Sequence, residues 1–451
     1  MVHTPLGRIR GVPADDGDYA MFLGIPYAKL NASNPFGATT PHEKFDKVFE
    51  AFSESEICPQ IREVQGSTDA PYGGGLDCLT LNVYVPNTRT GDRAVYIFMF
   101  GGQFTRGRSD RSYYGPRYLV RHDVIVVTFN YRLGPYGFMC THIPEVPGNQ
   151  GLRDQRDAIG WVRDNIRAFG GDPQRITIGG HSSGAMTVDM HILTERPRLF
   201  QQAIVQSGTA TYSGFLGPTD KMSLTNIARD LGFETNDTYA ALSFLASASP
   251  ETVIRATINK YQWKPCIEDE FERVESFISE NPELSAGSNV DGLKRQLRKY
   301  AKHRDTSVYM YMFSYDGRRN RMKRFYNISQ AGATHSDELG YIFTMDFIPD
   351  EPNSEDQSKI DQITTLWTNF IKYGNPTPER SALLPVSWTP LTGDTVPCLQ
   401  IGTNLTPISR PFHQRMTFWD LFFDTYFDTC PVIIELQERG PQMRAFFTSS
   451  S

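Results

Sequence analysis

Arg175-Ile-Thr-Ile-Gly-Gly-His-Ser182-Ser-Gly-Ala-Met186 is the stretch from which the rest of the chain is best read. Ile176-Thr177-Ile178 is a β-branched run that reads as a buried strand. Gly180-His181-Ser182-Ser183-Gly184 after it fits G-x-S-x-G, with helix-compatible Ala185-Met186 beyond. A strand, a turn and a helix joined in this way form a nucleophile elbow. The turn is tight enough to strain the backbone of its central residue, so the positions two before and two after it must lack bulk. Gly180 and Gly184 meet that need. The strain lifts the Ser182 hydroxyl clear of the sheet, where a histidine can approach from one side and a substrate carbonyl from the other. Five loosely specified positions also describe an ordinary Gly/Ser-rich loop, so the reading depends on the surroundings.

Those surroundings alternate strand and helix. Val95-Tyr-Ile-Phe-Met-Phe100 is a continuous apolar run suited to a strand covered on both faces. It ends in Gly101-Gly102-Gln103-Phe104, whose consecutive glycines let backbone N–H groups turn toward an oxyanion, together with the N–H of Ser183. Val124–Phe129 and Ala203–Val205 read as further buried strands. Asp154 to Phe169 reads as a helix with Ile159, Val162, Ile166 and Phe169 on one face, stopped by Gly170-Gly171-Asp172-Pro173. The pattern predicts an α/β fold with a mostly parallel sheet wrapped by helices. Nearer the N-terminus, Phe22–Ala28 is a strand, and Cys58 and Cys78 bracket a loop containing Tyr72-Gly-Gly-Gly75. The two cysteines either staple that loop or stand as buried thiols.

Composition narrows the function. The 451 residues carry a net charge of −6 and no basic run, which argues against nucleic acid and anionic membranes as partners. No run of eighteen apolar residues exists to span a bilayer, and the first residues lack the apolar core of a signal peptide. No linker divides the chain, so residues 1–451 are expected to form a single domain. Sequons at Asn31, Asn236, Asn327 and Asn404, with six cysteines, point to a secreted glycoprotein, with a cytoplasmic protein as the alternative. No H-E-x-x-H, paired C-x-x-C or phosphate-loop motif occurs, so no metal or cofactor is expected.

The chain resembles the type B carboxylesterases from about Gly24 to Phe422. The resemblance is carried by Gly24-Ile-Pro-Tyr-Ala28, Asp77-Cys78-Leu79, Asn130-Tyr-Arg132, Pro147-Gly-Asn149, Phe169-Gly-Gly-Asp-Pro173, Gln206-Ser-Gly208, Gly332-Ala-Thr-His335-Ser-Asp-Glu338 and Gly374-Asn-Pro376. It implies the α/β-hydrolase fold, small-molecule carboxylic esters as substrates, and a triad in the order serine, acid, histidine. Ser182 takes the nucleophile's place. Of the histidines far enough downstream, His303, His335 and His413, only His335 lies in the matching block. For the acid, Asp291 in Gly287-Ser-Asn-Val-Asp291-Gly292 is the choice, with Glu268, Asp269 and Glu270 as alternatives; Asp337 is too near His335 in sequence. The oxyanion hole falls to the N–H groups of Gly102, Gln103 and Ser183. The resemblance also implies a Cys58–Cys78 disulfide.

Three departures stand out. His181 precedes the nucleophile where the family usually has Glu or Gln. The usual His-Gly-Gly-Gly-Phe block reads Phe100-Gly-Gly-Gln-Phe104. Only 44 residues separate Asp291 from His335, several tens fewer than the family carries. Two readings follow: a serine esterase weakened by this shortening, or a silent homologue used for binding or adhesion.

Overall fold

The computed structural model describes residues 1–64, 70–88, 91–194, 197–211, 214–217, 219–279, 307–392, 395–414 and 417–418. Its main strands are β1 (Val12–Pro13), β2 (Tyr19–Pro26), β3 (Thr80–Pro86), β4 (Arg93–Met99), β5 (Ile125–Phe129), β6 (Gly171–His181) and β7 (Gln202–Gln206). They form one seven-stranded sheet in the order β7-β6-β4-β5-β3-β2-β1. The half that carries the elbow is parallel: β5 with β4, β4 with β6, and β6 with β7. β1, β2, β3 and β5 pair antiparallel. Every residue of β4 and β5 is buried, because helices cover both faces of the parallel half. Ile178 stands between Ile97 and Ala203 in register, and each buried side chain of this size contributes about 1.5–3 kcal/mol.

Helix α1 (Gln150–Asn165) precedes β6, and α2 (Ser183–Leu193) follows the elbow. α1 starts four residues before the predicted Asp154. Asn149, in a left-handed conformation at φ 55°, exchanges hydrogen bonds of 2.8 and 3.0 Å with the backbone of Cys266, so a distant contact sets the helix start. Ile166–Phe169 tightens into a 3-10 turn, and Gly170 at φ 81° closes it as the sequence predicts.

Beyond β7 the order changes. β8 (Tyr311–Phe313), β9 (Pro397–Ile401) and β10 (Leu405–Ser409) make a separate three-stranded sheet. Among the described residues β7 pairs only with β6 and β8 only with β9, so no strand joins the two sheets. Helices α3 (Arg321–Tyr326) and α4 (Ser354–Tyr373) belong to this part, and α4 packs against β4 and β6.

Two disulfides fasten the loops. Cys58–Cys78 closes its loop with Cα atoms 5.0 Å apart, and Cys140 pairs with Cys266, 126 residues on, at a Cα separation of 6.5 Å. Gly148 at φ 109° runs beneath the second, where a Cβ would meet the Cys266 and Cys140 sulfurs at 2.6 and 2.8 Å. Cys398 is a buried thiol, and Cys430 lies outside the described residues. No helix among the described residues is long and apolar enough to cross a membrane.

Candidate active site

β6 ends at His181 and α2 begins at Ser183, leaving Ser182 alone in the turn at φ 57°, ψ −126°. A non-glycine residue held there costs about 1–3 kcal/mol, so its surroundings must over-determine it. They do. The Ser182 N–H donates to the Gln206 carbonyl at 2.9 Å, and its own carbonyl accepts from the Met186 N–H at 3.0 Å. A Cβ on Gly180 would meet the Gly184 carbonyl at 2.5 Å, and one on Gly184 would meet the Met99 and Phe100 carbonyls at 2.3 and 2.5 Å. The glycines are therefore fixed by backbone crowding. Ser182 itself is half-buried and lines a cleft of about 3070 Å³.

Facing the elbow, the loop after β4 holds three successive left-handed residues: Gly102 at φ 140°, Gln103 at 59° and Phe104 at 62°. Phe104 is buried edge-on against Phe138 and Phe215, and its carbonyl accepts from the Gly134 N–H at 2.7 Å, which holds the strained loop down. Gln103 is exposed on the cleft. Among the described residues, the backbone N–H groups of Gln103 and Ser183 have no hydrogen-bond acceptor. The Gly102 N–H is engaged: it donates to the Ser183 hydroxyl oxygen at 3.0 Å. Of three predicted oxyanion donors, two are free and one is taken by a side chain.

His335 stands on a loop between Gly332 at φ 101° and Ser336 at φ 73°. Asp337 pins that loop from within. Its buried carboxylate accepts from the Thr334 N–H at 2.7 Å, Asn320 Nδ2 at 3.0 Å, the Met322 N–H at 2.9 Å and the Lys323 N–H at 3.4 Å. The last two are N–H groups of the first turn of α3, which no intrahelical carbonyl serves. Asp337 is thus an anchor of the loop and of α3. The His335 side chain reaches the cleft exposed on one side, with the His181 ring 4.5 Å away on the other at a tilt of 46°. Partial burial and the Arg321 cation hold the His335 imidazole below its ordinary pKa, against a smaller opposing effect of Asp337.

Behind these residues lies a buried polar group in which the sequence reading singles out His181 but not Glu338. His181 Nε2 is 3.8 Å from Glu338 Oε1, which accepts from Gln206 Nε2 at 3.3 Å. Burial pushes the Glu338 carboxyl up to about 7. Burial, then His335 and Arg321, hold His181 well below its ordinary value. The only sequence signal for Glu338 is its place three residues after His335.

Ser182, Ser183, Gln103 and His335 therefore line one cleft, and Gly102 underlies it. Asp291 and His303 lie outside the described residues. The alternative acids are engaged or remote. Glu268 is buried, with both carboxylate oxygens accepting from Arg153 Nη2 at 2.9 and 3.0 Å, Asp269 bonds His142, and Glu270 is exposed. His413 is exposed, with Thr417 at 3.3 Å. Among the described residues no cluster of His, Cys, Asp and Glu is arranged to hold a metal ion.

Comparison with known proteins places the chain among esterases. The family model described as "Carboxylesterase family" matches residues 1–295 and 291–419, two segments that overlap at residues 291–295. The chain is 27% identical to a juvenile hormone esterase of Heliothis virescens over 96% of its own length and 95% of that protein. That alignment runs over 543 positions, more than the 451 residues of the chain. It is 36% identical to Esterase B1 of Culex pipiens over 56% of its length, a match that spans only 48% of that protein. Its structure is similar to that of a juvenile hormone esterase from Manduca sexta with OTFP covalently attached. The TM-score is 0.80 at 25% identity, over 95% of this chain and 99% of that one.

Proposed function

The chain belongs to the carboxylesterase family, and on that premise we propose that it hydrolyses small-molecule carboxylic esters through a serine acyl-enzyme. The observation that carries this reading is Ser182 alone in a strained turn at the N-terminus of α2, with unpaired N–H groups beside it and His335 on the same cleft. His335, neutral near pH 7, withdraws the Ser182 proton as the hydroxyl oxygen attacks the ester carbonyl. The N–H groups of Gln103 and Ser183 receive the negative charge that forms on the carbonyl oxygen. The imidazolium returns its proton to the leaving alcohol. Water then attacks the acyl-enzyme by the same route and releases the acid. Asp291 is proposed to hold the imidazole in the tautomer that accepts at the nitrogen facing Ser182.

Both disulfides are buried and all four sequon asparagines are exposed, which supports an oxidising, secretory destination and N-glycosylation. The test of the mechanism is a fluorophosphonate probe. It is expected to label Ser182 and to block turnover of aryl acetates, and Ser182→Ala should abolish both. Equal labelling of parent and Ser182→Ala would refute the assignment, and no labelling of either would favour a silent binding homologue.

A further inference from the structure

We propose that the Ser183 hydroxyl is itself an oxyanion donor, standing in for the Gly102 N–H that it caps. The inference rests on the acyl-transfer reading of the same site. The Gly102 N–H points at Ser183 Oγ at 3.0 Å and so is not aimed into the cleft. A hydroxyl that accepts one hydrogen bond keeps a proton of its own to donate, and among the described residues this one has no acceptor. Accepting from an N–H also polarises the O–H and strengthens the bond it makes in turn.

Position favours an anion there as well. Ser183 is the first residue of the eleven-residue helix α2, where the unpaired N–H groups and the positive end of the helix dipole face the cleft. The residue is only 3% exposed, yet it lines the cleft beside Ser182 and Gln103. A Cβ on Gly101 would lie 2.8 Å from the Ser182 Cβ, so the segment that carries the Gly102 N–H runs directly against the nucleophile. The oxyanion would then meet two backbone N–H groups, of Gln103 and Ser183, and one hydroxyl, with the Gly102 amide behind it.

Three measurements on Ser183→Ala decide the matter: kcat and KM for an aryl acetate, inhibition by a trifluoromethyl ketone whose adduct carries the oxyanion, and the melting transition. The expected result is a fall in kcat of about 10²–10³ with KM unchanged, since that is the effect of losing one oxyanion donor. Inhibition by the ketone should weaken by a similar factor. A kcat equal to or above that of the parent would overturn the proposal, because the freed Gly102 N–H would then serve the oxyanion better than the hydroxyl. A slower enzyme with unchanged ketone inhibition would overturn it too, leaving Ser183 as a loop clamp. Should the alanine variant fail to melt cooperatively, Ser183→Cys replaces it. A weaker donor of similar size should lose about tenfold or more by the same reasoning, and an undiminished kcat overturns the proposal. A parent chain that neither labels nor turns over would remove the acyl-transfer reading and this inference together, whereas an active parent with an indifferent Ser183→Ala removes the inference alone.

Discussion

Ser182 stands on a turn crowded by backbone from three directions, between β4, β6 and β7, whereas His335 stands on a loop held mainly by side chains, the buried Asp337 carboxylate at Thr334 and the Asp316 and Lys323 side chains at Gly332, beside a sheet edge that no described strand pairs. The first region is built from consecutive short-range units, strand, turn and helix, whose constraints are written in adjacent residues. The second needs partners brought from far along the chain. It also follows the point, at residues 291–295, where the two family-model matches meet. The contrast teaches that a strained strand–turn–helix corner can be fixed by its immediate neighbours, whereas the loop that carries His335 takes its shape from partners farther along the chain.

Glycine substitutions give the sharpest test of this contrast. In Gly184→Ala the new methyl meets two backbone carbonyls that cannot yield, so the elbow must open. A displacement of this order costs about 10²-fold in activity, with about 1–3 kcal/mol of stability lost to overpacking. Gly332→Ala beside His335 meets nothing within 4 Å, and its only cost is a left-handed φ of 101° on a residue with a Cβ, about 1–2 kcal/mol. Steady-state kinetics and denaturant melts on the two variants should rank them in that order. Equal loss of activity would erase the distinction between a crowded side and an open one.

The disulfides extend the comparison to stability. Cys140–Cys266 closes a ring of 126 residues that contains the whole elbow, and Cys58–Cys78 one of 20. In the chain-entropy model their removal costs about 5 and about 3 kcal/mol. Double serine variants of each pair, melted in denaturant, should therefore differ, with the longer ring the more costly.

Much of the elbow side was legible in the sequence. The apolar runs at Val95–Phe100 and Val124–Phe129 became β4 and β5 within two residues at each end, because a strand buried on both faces needs no partner to be recognised. The start of α1 was not legible, since Asn149 takes its position from Cys266, 117 residues away. Nor was the pairing of Cys140 with Cys266, because loop closure grows too slowly with length to favour one distant partner over another. The Gln206–Glu338–His181 group joins residues 132 apart, and the bond from Gly102 to Ser183 joins residues 81 apart. The closeness of Asp337 to His335 in sequence argues against it as the triad acid, but its work as the anchor of α3 shows only when a third segment is in place.

That anchor supports a smaller prediction. Asp337→Asn retains the shape but turns an amide NH₂ toward some of the four donors that the carboxylate now serves. One buried donor left without an acceptor costs about 1–3 kcal/mol. The loss should appear as faster proteolysis or hydrogen exchange around α3 and the His335 loop, with the elbow side unchanged. Uniform loosening of both sides would show that the two regions fold as one unit.

The smallest expected effect is also the most specific, because it moves a pH profile without removing a part of the machinery. On the proposed mechanism His335 works as a base only when neutral, and burial with the Arg321 cation disfavours its protonated form, so its pKa lies below the ordinary imidazole value. The acid limb of kcat/KM should accordingly fall below the ordinary titration range of histidine, activity being retained above the depressed pKa and lost as pH drops through it. Arg321→Gln removes a cation that opposes the imidazolium, so the pKa rises and the limb moves to higher pH. Asp337→Asn removes an anion that favours the imidazolium, so the limb moves to lower pH. The buried Glu338, pushed up to about 7, is the other group on this side that titrates nearby, and Glu338→Gln separates its contribution. Opposite displacements in the Arg321 and Asp337 variants would assign the limb to His335. A limb that stays in place in both, and vanishes in Glu338→Gln, would instead assign the titration to the buried cluster behind the histidines.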